Sequence, residues 1–144
     1  MTNSSDQKKV EKIVLNSASS FYWGMNLLKK DQRRAMFSIY SFCRIVDDIA
    51  DSEGVKSKKI NSLSDWKKKV DNIYIKKTDG YITRELKIAI EKYGLIKTDF
   101  IAIIDGMKMD IGKKIVYPSQ NELDLYCDRV AGAVGCLSMK VFEI

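Results

Sequence analysis

The stretch Asp31–Asp51, DQRRAMFSIYSFCRIVDDIAD, places apolar residues at Met36, Ile39, Cys43, Val46 and Ala50, steps of three and four that belong to a long amphipathic helix. Asp31 reads as its N-cap and Gly54 as its stop. One residue on lies a parallel row, Phe37, Tyr40, Arg44, Asp47 and Asp51, rotated by about 100° so that it flanks the core instead of pointing straight into solvent. Asp47/Asp51 and Arg44/Asp48 are four residues apart, so three carboxylates and a guanidinium gather within about two turns. Crowded carboxylates repel unless a cation offsets them, and oxygen donors of this kind suit a hard ion such as magnesium together with an anionic ligand. A solvated acidic helix end is the plainer reading of the aspartates, and an ion pair with Asp48 the plainer reading of Arg44.

Working outward, every other element also reads as helix. Asp6 is a candidate N-cap for a helix through Val10, Ile13, Val14 and Ser17, which ends or bends at the small patch Ser17 to Ser20. The aromatics Phe21, Tyr22 and Trp23 follow. Val55 to Ser62 is rich in lysine and serine and reads as a loop, after which Leu63, Trp66, Val70 and Ile73 form an amphipathic helix. Thr78 to Gly80 is a turn; Leu86, Ala89, Ile90 and Tyr93 make a short helix stopped by Gly94; Thr98 caps the next, through Phe100, Ile101, Ile104 and Met107. Ser119 and Glu122 form a capping box before a helix through Leu123, Tyr126, Val130, Ala133, Val134, Leu137 and Val141. Within it Ala131, Gly132, Ala133 and Gly135 trade helix propensity for small volume, a loss of about 1 kcal/mol per glycine that lets something approach closely.

The 144 residues make at most one ordinary domain. A composition of 45% hydrophobic and 31% charged residues excludes a disordered or low-complexity chain, and a net charge of +6 suits an anionic partner. With no histidine, histidine bases and histidine-bound zinc are excluded, leaving proton chemistry to carboxylates, tyrosine, lysine or water. Cys43, Cys127 and Cys136 lie among apolar neighbours without metal-clip spacing and read as reduced core thiols. No signal peptide or membrane span is visible, so a cytoplasmic location is expected. The lysines Lys56, Lys58, Lys59 and Lys67 to Lys69 read as solvated faces, some suited to a peripheral contact with anionic lipid, and not as a nucleic-acid groove.

Two blocks carry a family resemblance. The first runs Ser19, Ser20, Phe21, Tyr22, Trp23, then Arg33 and Arg34, then Tyr40 and Cys43 to Asp51; the second is Tyr126, Cys127, Asp128, Arg129, Val130, Ala131, Gly132, Ala133, Val134, Gly135. Together they resemble the squalene and phytoene synthase family of head-to-head prenyltransferases. Tyr126 to Gly132 and Gly106 to Asp110 are most similar to its bacterial presqualene diphosphate synthase branch, of the hopanoid route.

The resemblance implies an all-α isoprenoid-synthase (terpenoid synthase) bundle of which this chain is the N-terminal part of a single domain, with farnesyl diphosphate as the prenyl diphosphate substrate. Magnesium, or manganese in its place, would be held by Asp47, Asp48 and Asp51; NADPH would enter only with a reductive second step. A second aspartate-rich motif is expected downstream of the Tyr126 helix, beyond this sequence. Ser19, Ser20, Tyr40 and Arg44 would contact diphosphate, although the serines also suit helix capping, Tyr40 packing, and Arg44 the orienting of Asp47 and Asp48. Tyr126 would act in the first half-reaction, and Phe21, Met25, Val130 and Val134 would line an apolar tunnel; core packing explains these side chains equally well. Rival readings are a phytoene synthase using geranylgeranyl diphosphate, a noncatalytic helical module that binds diphosphate lipids or a partner subunit, and a basic nucleic-acid binder.

Overall fold

The computed structural model describes residues 4–17, 19–52, 54–112 and 132–142, and every regular element among them is a helix. In chain order these are α1 (Ser4–Ser17), α2 (Ser19–Met25), α3 (Lys30–Asp51), α4 (Lys56–Tyr74), α5 (Tyr81–Tyr93), α6 (Lys97–Gly112) and α7 (Ala133–Phe142). None is long and apolar enough to cross a membrane. The bundle is built around α3, which packs against each of the others among the described residues.

That central position explains how burial changes along α3. Ala35, Met36, Phe37, Ser38 and Ile39 are all buried, as only a helix surrounded on every side allows. Past Phe42 only Val46 and Ala50 remain buried, four residues apart, so the C-terminal half keeps one core face and opens the opposite one. Phe42 takes the core position expected of Cys43, which is half-buried at the flank. The larger ring wins because it meets Phe100 at 5.4 Å and Trp66 at 5.9 Å between centroids, both edge-on, and burying such a side chain is worth about 1.5–3 kcal/mol. Phe37, expected at the flank, is fully buried and stacks on Tyr22 at 5.4 Å.

The ends of the helices depart most from the sequence reading. Val55 to Ser62 is not a loop: α4 begins at Lys56, because lysine and serine are compatible with a solvated first turn and Leu63 anchors the helix at complete burial. α3 starts at Lys30 with Lys29 in the cap position, and Asp31 in its first turn pairs with Lys92 at 2.9 Å. It ends at Asp51 with Ser52 as cap, while Gly54, at φ 142°, turns the chain. Thr98 lies inside the first turn of α6. Gly94 terminates α5 as expected, in the left-handed conformation at φ 64° that glycine adopts without steric penalty.

Two bidentate ion pairs stitch α1, α3 and α5 together, and neither was visible in the sequence reading. Arg34 on α3 donates to both oxygens of Glu85 at 2.8 and 2.7 Å, with the Glu85 side chain 1% exposed. Arg84, the residue before Glu85, donates to both oxygens of Asp6 at 2.6 and 2.9 Å. Asp6 is therefore a buried ion-pair partner and not an N-cap. The Arg84 hydrogen bonds hold its carboxyl below the usual carboxylate range. A lowered folded-state value stabilises the protein above the unfolded pKa, near 4, and that contribution is lost as pH falls through the folded value. The stability difference between wild type and Asp6→Asn, followed by urea unfolding, is expected to be constant from pH 6 to 8 and to close below about pH 4.

Candidate diphosphate and metal site

The open half of α3 presents Tyr40, Arg44, Asp47, Asp48 and Asp51 within three turns. Tyr40 and Asp47 are half-buried, and Arg44, Asp48 and Asp51 are exposed. Arg44 Nε donates to Asp48 Oδ1 at 3.2 Å, so the plain ion pair exists. With those side chains 43% and 56% exposed, it contributes little to stability and leaves both groups at the solvent surface. Asp47 lies over the flank of the core beside Cys43. Burial, and then the charge of Asp47, push the Cys43 thiol up to about 12, so it stays protonated and unreactive at neutral pH.

Among the described residues no three acidic, cysteine or histidine side chains converge into a metal cluster. Asp47 and Asp51 instead supply two carboxylates one turn apart, their Cβ atoms about 5–6 Å from each other. Magnesium is commonly bound through one or two carboxylates with phosphate oxygens and water completing its shell, so this pair fits an ion that arrives with a diphosphate.

The serine-bearing helix reaches the same level. Asn26 Oδ1 accepts from Arg33 Nη1 at 3.2 Å and Tyr22 stacks on Phe37, so α2 runs antiparallel to the start of α3. Carrying that register on by three residues brings the Ser19 backbone level with about Tyr40, one turn before Arg44. The side chains of Ser19, Ser20 and Phe21 lie outside the described residues, as do Tyr126, Cys127 and Val130.

Of the tunnel candidates, Met25 at the end of α2 and Val134 on α7 are half-buried against the core. Helix α7 packs on α3 and α6, and Gln32 Nε2 donates to Val141 O at 3.3 Å to tie its end to the start of α3. A Cβ added at Gly132 or Gly135 would meet no described atom within 4 Å, so the described helices are not what these glycines make room for. Cys136, expected in the core, is exposed among the described residues.

The family model for squalene/phytoene synthase matches residues 14–144. This chain belongs to the squalene/phytoene synthase family. A presqualene diphosphate synthase of Zymomonas mobilis is 47% identical over 126 residues, covering 87% of this chain and 43% of that relative. A chloroplastic phytoene synthase of Daucus carota is 33% identical over 127 residues, covering 88% and 32%. A crystal structure of a squalene synthase from Alicyclobacillus acidocaldarius superposes with a TM-score of 0.86 at 22% identity, covering 96% of this chain and 52% of that one. The terpenoid-synthase helical fold is thereby shown, and the chain spans less than half the length of the curated relatives it matches. Within the family fold, α3 is the helix that carries this chain's aspartate-rich segment out of the core.

Lys56, Lys58 and Lys68 of α4 are exposed, as a solvated face requires, while three other lysines of the helix have more defined surroundings. Lys67 pairs with Asp105 at 2.9 Å, Lys69 lies 4.6 Å from the centre of the Trp66 ring, and Lys59 donates to a carbonyl of α3. Helical spacing places Trp66 one turn before Lys69, but it could not assign Asp105 or the α3 carbonyl, which come from other helices.

Proposed function

We propose that this chain supplies the first aspartate-rich helix of a magnesium-dependent prenyltransferase that joins two farnesyl diphosphates into presqualene diphosphate. The observation that carries the reading is the higher identity to a presqualene diphosphate synthase, 47%, than to a phytoene synthase, 33%, at nearly equal coverage of this chain. The open face of α3 supports it, since its donors are of the type a diphosphate and a hard cation need.

In this reading Asp47 and Asp51 hold the metal, Asp48 is kept in place by Arg44, and the remaining Arg44 donors face diphosphate oxygens. Ser19 and Ser20 approach the diphosphate from α2. Magnesium, when bound, supplies positive charge that stabilises the departing diphosphate. One substrate loses its diphosphate to leave an allylic cation; the alkene of the second attacks it, and loss of one proton closes the cyclopropane. The balance is two farnesyl diphosphates giving one presqualene diphosphate, one inorganic diphosphate and one proton. Tyr126 is the residue assigned to this proton loss, and Phe21, Val130 and Val134 would exclude water from the cation.

Titration calorimetry with farnesyl and geranylgeranyl thiodiphosphates, alongside product analysis with the natural diphosphates, tests the assignment. Binding that requires magnesium and favours the shorter chain is expected, with a C30 cyclopropyl diphosphate as any product formed. A C40 product from geranylgeranyl diphosphate without a C30 counterpart overturns the substrate. Binding indifferent to magnesium overturns the metal.

A further inference from the structure

The aspartates stand at the unfavourable end of their helix. A helix C-terminus carries roughly half a negative charge, so acidic side chains there are destabilising and a cation is needed. Asp47, Asp48 and Asp51 all lie in the last two turns of α3, and no basic residue stands in its last turn. The free carbonyls are met one after another from outside the helix. The Ser52 amide donates to Asp48 O at 2.9 Å, the Ser52 hydroxyl to Ile49 O at 2.9 Å, and Lys59 Nζ to Ala50 O at 3.3 Å.

Of these three donors only Lys59 brings a charge, and it comes from another helix. The first turn of α4 is also unfavourable, with Lys56, Lys58 and Lys59 at the positive end of the helix and no acidic residue within that turn. The short connection 52–55 folds the two ends together around a groove lined by Ile49, Ser52, Val55, Lys58 and Lys59, so each end supplies the charge that the other lacks.

We propose that Lys59 is a positioning residue for the metal-binding turn: through the Ala50 carbonyl it holds the final turn of α3, and with it Asp47 and Asp51, in the binding arrangement before metal arrives. The inference rests on the proposed role of those aspartates, but it is measured in part without any ligand. In metal-free protein, hydrogen exchange at the Ser52 amide is expected to be about tenfold faster in Lys59→Met than in wild type, and within about threefold of wild type in Lys59→Arg. With inorganic pyrophosphate present, half-saturating magnesium is expected to rise several-fold in Lys59→Met and to return towards wild type in Lys59→Arg.

Unchanged exchange in Lys59→Met overturns the proposal. If magnesium binding is nonetheless weakened, Lys59 contacts the ligand directly instead of acting through α3. Failure of Lys59→Arg to restore exchange also overturns it, because any cation able to reach the carbonyl should serve. If wild-type protein binds no magnesium with pyrophosphate, the functional reading falls, while the Ser52 exchange comparison still decides whether Lys59 holds the turn.

Discussion

Asp47→Asn is expected to weaken magnesium-dependent binding of farnesyl thiodiphosphate by at least about 100-fold, the scale on which loss of one charge-stabilising group acts in a preorganised site. Asn keeps the shape and removes the charge, so a hard cation loses a ligand while α3 keeps its packing. The fold should not suffer. Removing a negative charge near the C-terminus of α3 relieves an unfavourable dipole interaction, and the melting temperature is expected to stay level or rise slightly. Asp51→Asn should behave alike, since it shares the row. Asp48→Asn should cost less than about tenfold, because the Asp48 carboxylate is already engaged by Arg44 at 3.2 Å. Calorimetry on the three variants gives the order, and a variant of Asp48 more damaging than that of Asp47 would reverse the assignment of ligand and helper.

The second large effect concerns stability. Arg34→Met leaves the Glu85 carboxylate, 1% exposed, without its guanidinium, and removing one partner of a buried pair costs about 3–5 kcal/mol. Against the total of about 5–15 kcal/mol typical of a domain, such a loss approaches unfolding. The double variant Arg34→Met/Glu85→Leu separates this cause from lost packing. Replacing both charges with apolar side chains is often near neutral, so most of the loss should return. Urea unfolding monitored by circular dichroism provides the measurement. A single variant within about 1 kcal/mol of wild type would show that water or another group satisfies Glu85.

The same pair shows where sequence reading stops. Glu85 falls on the apolar face of α5, three residues after Ile82 and one before Leu86, both buried. A charge at such a position announces a buried partner without naming it, and the partner lies 51 residues away. Asp6 gave the same kind of signal, four residues before the buried Val10, and was read locally as a cap because capping is the commoner use of an aspartate near a helix start. Cys43 and Phe42 illustrate a second limit. Both lie near the predicted stripe, and the choice between them depended on Phe100 and Trp66, which arrive from other helices. The clustering of Tyr40, Arg44, Asp47, Asp48 and Asp51 was legible because it needs only the helical repeat.

What the sequence by itself determined is therefore whatever the period of a helix settles: the all-helical class, the long span of α3 and the gathering of its aspartates within two turns. Tertiary structure alone decided which half of α3 is enclosed, that Arg34 and Arg84 serve buried carboxylates, and that Lys59 meets the end of the acidic helix. The reason is physical. Neighbours three and four residues apart are set by a rise of about 1.5 Å and a turn of about 100° per residue, whereas burial and ion pairing depend on what other helices bring to the same place.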